Sequence, residues 1–147
     1  MFKLNRYLHL SILSLILLSS GACADIYVIV SAGSEVQNLS KKQCIDIFMG
    51  RARKFDNGKK IEAFDQPKGS ALREEFYTKL TGKSLAFINA YWARLFYTGR
   101  VQPPSDHLKS SEQIALEVAR NPRAIAYVAE AQLSDQVQVV FTLNGNQ

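Results

Sequence analysis

The feature of the sequence that most restricts the fold is an unbroken apolar run at residues 26–30, IYVIV. Four of its five side chains are β-branched, which favours a strand. An apolar run without alternation is typical of a strand buried on both faces, as in a parallel sheet covered by helices. The run therefore predicts a central sheet that is protected from water on its two sides.

Helical and strand patterns alternate along the rest of the chain. Each predicted helix starts behind a serine, whose side chain can accept a hydrogen bond from the first helical turn. The helices are predicted to begin after Ser40, Ser70, Ser84 and Ser110, and the further strands to cover residues 61–64, 124–128 and 137–143. This order predicts one α/β domain, built as a three-layer α/β/α sandwich.

The first 24 residues have the pattern of a secretory signal peptide. Lys3 and Arg6 precede an apolar stretch that is shorter than the roughly 20 residues needed to span a bilayer. Small residues on each side of Cys23 supply the pattern that a signal peptidase requires. The alternative is a lipoprotein in which Cys23 carries the lipid. Both interpretations predict export to the periplasm, with residues 25–147 as the mature domain and no transmembrane segment in it.

Composition narrows the functional classes. The chain has 147 residues, of which 47% are hydrophobic, and this suits one globular domain with an apolar core. Its net charge of +5 includes two cations of the signal segment, so the remainder is too small for a nucleic-acid footprint. No His, Cys and Asp cluster has metal-ligand spacing, and no nucleophile motif is present. We therefore expect no enzyme, no metal, no cofactor and no nucleic-acid partner.

The loop before the second predicted helix is the candidate binding site. With Ser70 as the cap, the first helical N–H groups lack intrahelical acceptors and could hold an anion. Gly69 would let a ligand approach the backbone closely. Arg73 falls in the first turn, where a cation without a partner is unfavourable. Either Arg73 and the amides share an anion, or Arg73 forms a surface salt bridge with Asp65 or Glu74.

Two further segments have alternative interpretations. A basic stretch at residues 51–60 carries five cations and could steer anions or meet an acidic partner, or it could be a solvated loop. The aromatic residues Tyr91, Trp92, Phe96 and Tyr97 are too dense for an ordinary surface. The second pattern predicts that these rings pack in the core.

Six short segments carry a family resemblance when they are taken together and in order. They are residues 45–51, 56–59, 64–67, 73–76, 91–99 and 121–128. In these segments the chain resembles the phosphate-type substrate-binding proteins of ABC transporters. The likeness extends from about residue 26 to about residue 140, and it implies a type II periplasmic-binding-protein fold.

The resemblance also implies a ligand site. In this family a loop at a helix N-terminus supplies contacts to the anion, and the matching residues here are Asp65, Gly69 and Ser70, with Arg73 just inside the helix. Ser31, at the end of the first strand, matches a ligand-facing hydroxyl. We expect Asp65 to accept a hydrogen bond from a protonated oxyanion, the amides near Gly69 and Ser70 to donate, and Arg73 to supply charge.

A two-lobed binder needs about twice this length, so the resemblance implies a single lobe. It further implies that the protein binds phosphate or a similar oxyanion, with an ABC permease or another envelope protein as its partner. A single lobe would form only one side of a binding cleft. The anion would then stay in contact with water, where charged contacts are screened and weak. The alternative hypothesis is an interaction module of the cell envelope that has kept the fold and no longer serves transport.

Overall fold

The structure is a computed structural model that describes residues 24–99 and 101–145. The predicted signal peptide lies outside these residues except for Ala24, and so does Cys23 with its alternative role as a lipidated residue. Within the described ranges, no helix is both long and apolar enough to cross a membrane.

The described chain forms one mixed sheet with helices on both of its faces. The strands are β1 (Ile26–Ser31), β2 (Glu62–Ala63), β3 (Ala124–Val128) and β4 (Val137–Leu143), and the helices are α1 (Lys41–Phe48), α2 (Ala71–Thr81), α3 (Leu85–Phe96) and α4 (Ser111–Arg120). A short 3₁₀ turn, Glu130–Gln132, lies between β3 and β4. The strand order across the sheet is β2-β3-β1-β4, so the last strand of the chain lies at an edge.

The central strand β1 is buried on both faces, as its sequence predicts, but the prediction of a parallel sheet is wrong at this strand. It runs antiparallel to both neighbours, with Tyr27 opposite Val128 on β3 and Ser31 opposite Val137 on β4. Among the four strands of the described residues, β2 and β3 are the parallel pair. Burial depends on the layers that cover a strand and not on its direction, so an apolar run cannot distinguish the two pairings.

Alternate residues of β1 face the two covering layers. Ile26, Val28 and Val30 belong to one buried cluster, which α1, α2 and α3 complete. Ile29 points to the other face, where Ile114 and Val118 of α4 cover it. The three-layer α/β/α arrangement predicted from the sequence is confirmed.

All four predicted capping serines cap their helices. Ser40, Ser70, Ser84 and Ser110 each accept a hydrogen bond from the backbone N–H three residues later. At the other end of α1, Gly50 adopts φ +72°, and a Cβ there would lie 2.6 Å from Trp92 and from Val101. Only glycine fits this close approach.

The aromatic cluster of α3 is divided between core and surface. Trp92 is buried, and the Tyr91 hydroxyl donates to the Met49 carbonyl at 2.8 Å. Phe96 and Tyr97, in contrast, are 68% and 89% exposed, so the prediction that they pack in the core is wrong. The helix is apolar around most of its circumference, and packing buries only the side that faces the core cluster, where Ile88 and Trp92 lie.

Candidate functional site

The candidate loop connects the end of β2 to the start of α2. The backbone N–H of Asp65 donates to the Ser105 carbonyl at 2.8 Å, which fixes the beginning of the loop. Gly69 then adopts φ +84°, and the Ser70 N–H donates to the Pro67 carbonyl at 3.0 Å. This tight turn aims the chain into α2.

The interior side of the loop is a buried polar network centred on Asp65. The Asp65 carboxylate is 3% exposed and accepts from Arg73 Nε at 2.8 Å, Tyr77 Oη at 3.2 Å and the Gln66 N–H at 2.9 Å. The Tyr127 hydroxyl donates to Oδ1, the oxygen that also accepts from the Gln66 N–H. Of the two alternatives for Arg73, the salt bridge to Asp65 is the one present, but it is buried and not on the surface.

Gln66 joins this network to the opposite helical layer. Its side-chain Nε2 donates to the Tyr127 carbonyl at 2.9 Å, and its Oε1 accepts from Ser111 Oγ at 2.9 Å. Because Ser111 is the first residue of α4, the loop is held from both sides of the sheet.

Burial dominates the electrostatics of the network. It raises the pKa of Asp65, although Arg73 and the Tyr127 hydrogen bond act in the opposite direction. Burial also raises the pKa of Tyr77 and of Tyr127 well above the usual value, and the Asp65 charge adds to both shifts. For Arg73, burial acts to lower the pKa, but the Asp65 charge outweighs it and the net shift is upward. Both tyrosines are therefore protonated donors at neutral pH.

The outer side of the same loop is open. The Lys68 side chain is 84% exposed and lies 3.4 Å from Asp106. A Cβ on Gly69 would meet no atom within 4 Å. In α2 the Arg73 N–H donates to Ser70 Oγ, and the first intrahelical bond runs from the Glu74 N–H to the Ser70 carbonyl. The two preceding N–H groups, those of residues 71 and 72, have no acceptor in the helix.

Ser31 does not join these residues. It lies at the end of the strands where β3 begins, whereas Asp65 follows β2 at the opposite end, since β2 and β3 both run against β1. Its hydroxyl donates to the Ala119 carbonyl at 3.0 Å and accepts from the Gly33 N–H. The structure thus brings together Asp65, Gly69, Ser70 and Arg73, and places Ser31 elsewhere.

The sequence interpretation missed several partners of the buried pair. Tyr77 lies four residues after Arg73 on α2, so the helical spacing was a usable signal. Asn89 on α3, which accepts from Arg73 Nη1 at 3.2 Å, and Tyr127 on β3 had no such local signal. Their contacts depend on how the helices and strands pack.

The Cys44 thiol and the metal-binding types of side chain bear on other kinds of site. Cys44 is fully buried, and desolvation raises its pKa to about 12, so its thiol is not a nucleophile at neutral pH. Among the residues that the structure describes, no group of three or more His, Cys, Asp or Glu side chains could hold a metal ion.

Comparison with solved structures identifies the fold. No protein-family model matches the chain, and no curated protein matches its sequence. Solved structures do match it. One is a protein from Clostridium perfringens assigned as a phosphate ABC transporter substrate-binding protein and solved with bound phosphate, with 21% identity and a TM-score of 0.63. An ABC-type phosphate transport receptor from Vibrio cholerae has 17% identity and a TM-score of 0.62, and PstS from Borrelia burgdorferi has 13% and 0.56.

The fold is that of the phosphate ABC transporter substrate-binding proteins. The match covers 81% of this chain but only 46% of the Clostridium protein and 47% of the Vibrio protein. The chain therefore spans about half the length of these phosphate receptors. The predicted fold class, a single lobe of a periplasmic-binding-protein fold, is confirmed.

Proposed function

We propose that the protein is an exported single-lobe relative of phosphate receptors that binds phosphate or a similar oxyanion weakly at the N-terminus of α2. The observation that carries the proposal is the open first turn of α2 in a fold shared with a phosphate-bound receptor. The anion would accept hydrogen bonds from the N–H groups of residues 71 and 72, beside the exposed ammonium of Lys68.

Helix N-termini favour anions for two reasons that both apply to this turn. Its free N–H groups need acceptors, and the aligned peptide dipoles place partial positive charge there. Gly69 leaves space beside the turn, since no atom lies within 4 Å of the position that its Cβ would take. A single lobe leaves one side of the ion in water, so we expect affinity in the millimolar range.

The proposal gives the predicted site residues separate roles. Gly69 and Ser70 shape the turn that contacts the ion. Asp65 and Arg73 neutralise each other beneath it at 2.8 Å and act as positioning residues. Ser31 has no part in this site, because both hydrogen bonds of its hydroxyl are made with other parts of the chain.

Isothermal titration calorimetry with inorganic phosphate tests the proposal on the purified exported protein. We expect saturable heat that weakens with added salt, because an exposed ion contact is screened. Lys68→Ala should reduce the affinity, whereas Lys41→Ala, which removes an exposed lysine on α1, serves as the matched control. Absence of heat at tens of millimolar phosphate would retire the proposal.

Export and transport are part of the proposal. The signal-peptide pattern supports a periplasmic location, and the fold supports a role beside an ABC permease. N-terminal sequencing of the mature protein would distinguish cleavage before Asp25 from lipidation at Cys23. A chain that keeps residues 1–24 and stays in the cytoplasm would contradict export.

The exposed aromatic residues on α3 and directly after it favour a second candidate, an interaction module of the envelope. Phe87, Phe96 and Tyr97 are 48%, 68% and 89% exposed, and large exposed rings are common at protein interfaces. Sedimentation and crosslinking in the periplasm test this function. Loss of a crosslinked partner in Phe96→Ser/Tyr97→Ser, with phosphate binding unchanged, would support it, whereas a monomer without any crosslinked partner would exclude it.

A further inference from the structure

We propose that a second cleft, separate from the N-terminus of α2, binds a small organic anion with an apolar body. This edge cleft has a volume of about 630 Å³ and lies along the outer edge of β2. One wall is the hairpin of residues 53–61, and the other includes Gly99, Val101, Pro103, Ser105 and His107. Its size is within the range of small-molecule sites in proteins.

The basic stretch noted in the sequence forms the first wall. It folds back as an antiparallel hairpin in which Lys54 lies opposite Lys60, and the Ile61 N–H donates to the Arg53 carbonyl at 3.0 Å. Phe55 anchors the hairpin, since its side chain is only 6% exposed. The stretch is thus an ordered turn whose five cationic side chains, those of Arg51, Arg53, Lys54, Lys59 and Lys60, are all exposed to solvent.

The edge of β2 presents an unused hydrogen-bond donor in the cleft. The N–H groups of Glu62 and Phe64 donate to the carbonyls of Arg123, just before β3, and Ile125, so the peptide groups of Ala63, which lies between them, are directed away from β3. The Ala63 carbonyl accepts from the Ser105 N–H at 2.8 Å. Its N–H has no acceptor within residues 24–99 and 101–145. Backbone donors in folded proteins are nearly always paired, so this one is suited to an external acceptor.

The charge in the edge cleft is positive. Arg53 and Lys60 line it, and neither has a carboxylate partner in the described part of the chain. Glu62 also lines the cleft, but its carboxylate is paired with Arg123 and accepts from Asn121 at 2.7 Å. An anion would therefore find two cations whose charge is not already compensated.

Apolar and polar groups share the remaining walls, and the apolar groups select the body of the ligand. The apolar residues include Ile47, Ile61, Phe64, Val101, Pro103 and Pro104, beside the polar side chains of Gln102, Ser105 and His107. An inorganic ion would leave these surfaces in water, whereas a small ring or alkyl group would cover them. A carboxylate or phosphate attached to such a group could accept from the Ala63 N–H beside Arg53.

The single tryptophan of the chain reports on this site. Trp92 packs against Gly50 and Val101, both of which line the edge cleft. The experiment is a fluorescence titration of the purified protein with phenyl phosphate, with inorganic phosphate and benzyl alcohol as comparison probes. We expect saturable binding of phenyl phosphate that is at least tenfold tighter than that of either comparison probe.

Substitutions separate this cleft from the site on α2. Arg53→Ala should weaken phenyl phosphate roughly tenfold, the usual effect of losing one charge-assisted contact. Lys41→Ala is the matched control and should change nothing. Lys68→Ala should leave phenyl phosphate unchanged, and Arg53→Ala should leave inorganic phosphate unchanged, so the two sites can fail independently.

Three results would overturn the inference. The first is a phenyl phosphate affinity that is insensitive to both Arg53→Ala and Lys60→Ala. The second is equal affinity for benzyl alcohol, which would show that charge is irrelevant. The third is loss of phenyl phosphate binding in Lys68→Ala, which would place the ligand on α2. Thermal unfolding of each variant checks that these exposed substitutions preserve the fold.

Discussion

The two sides of the loop between β2 and α2 differ in whether their polar groups are available to a ligand. On the inner side, Asp65, Gln66 and Arg73 are each less than 7% exposed and are bonded to other parts of the protein. On the outer side, Lys68 and Gly69 face solvent, and the first N–H groups of α2 lack acceptors in the helix. The charged residues of a loop are therefore a poor guide to the charges that a ligand can reach.

The comparison also separates stability from binding. The inner network fixes the position of α2, whereas the outer turn contributes little to the core and remains free to bind a ligand. Substitutions on the inner side should change the free energy of unfolding and leave phosphate binding intact in the folded protein. Substitutions on the outer side should do the reverse.

The largest expected effect is that of Arg73→Met. Removing the guanidinium leaves the buried Asp65 carboxylate without its cation, and breaking a buried pair in this way costs about 3–5 kcal/mol. Urea unfolding followed by circular dichroism measures the loss. A change below about 1 kcal/mol would mean that the pair does not hold the loop.

A paired substitution is the control for this prediction. Asp65→Leu combined with Arg73→Met removes both charges, and buried ion pairs replaced by apolar residues are often neutral in stability. The double variant should recover part of the stability lost by Arg73→Met alone, because the unpaired buried charge is gone while Tyr77, Tyr127 and the Gln66 N–H lose their acceptor. If it also binds phosphate like the wild type, neither charged group contacts the ion.

The sequence predicts the elements of this fold better than it predicts their partners. The capping serines and the apolar run of β1 were sufficient, because a cap and a buried strand are decided by residues close together in the chain. The partner of Arg73 was one of two alternatives, and its burial was not predicted. Burial here depends on Tyr127, which lies on a strand more than 50 residues away along the chain.

Strand direction and the exposure of Phe96 were missed for related reasons. An apolar segment shows that burial is favourable, but it does not show which layer is available to cover it. In this single lobe one side of α3 has no covering layer within the described residues, so Phe96 remains 68% exposed. The prediction of the site residues failed at Ser31 for the same reason. The antiparallel direction of β1 places Ser31 at the opposite end of the strands from the loop.

An effect of intermediate size on stability is expected at Ser70, the helix cap that lies between the inner and outer sides of the loop. Ser70→Ala removes the acceptor of the Arg73 N–H and should cost about 1 kcal/mol, while phosphate binding persists. Ser70→Asp should keep the cap and its stability but repel phosphate from the first turn. Calorimetry measures phosphate binding by both variants, and urea unfolding measures their stability. A Ser70→Asp variant that still binds phosphate normally would place the ion elsewhere.

A smaller effect is expected in the pH dependence of stability. Burial raises the pKa of Asp65 above its usual value of 3.8, so the folded state binds this proton more tightly than the unfolded state. Its contribution to stability is then present at low pH and is lost as the pH rises through the folded-state pKa. The wild type should gain stability relative to the Asp65→Leu/Arg73→Met variant on acidification from neutral pH. Unfolding curves across this range measure it, and a relative loss on acidification would contradict the direction.

The smallest expected effect on stability belongs to Lys68→Ala, on the outer side. Its ammonium is 84% exposed and meets Asp106 at 3.4 Å, so the free energy of unfolding should change by less than about 0.5 kcal/mol. Phosphate affinity should fall about two- to fivefold at low salt and converge with the wild type at high salt, because the contact is screened. Asp106→Asn should have the opposite effect, since it frees Lys68 for the ion. Equal phosphate affinity in the two variants would show that Lys68 does not contact the ion. The proposed site would then consist of the backbone N–H groups at the start of α2.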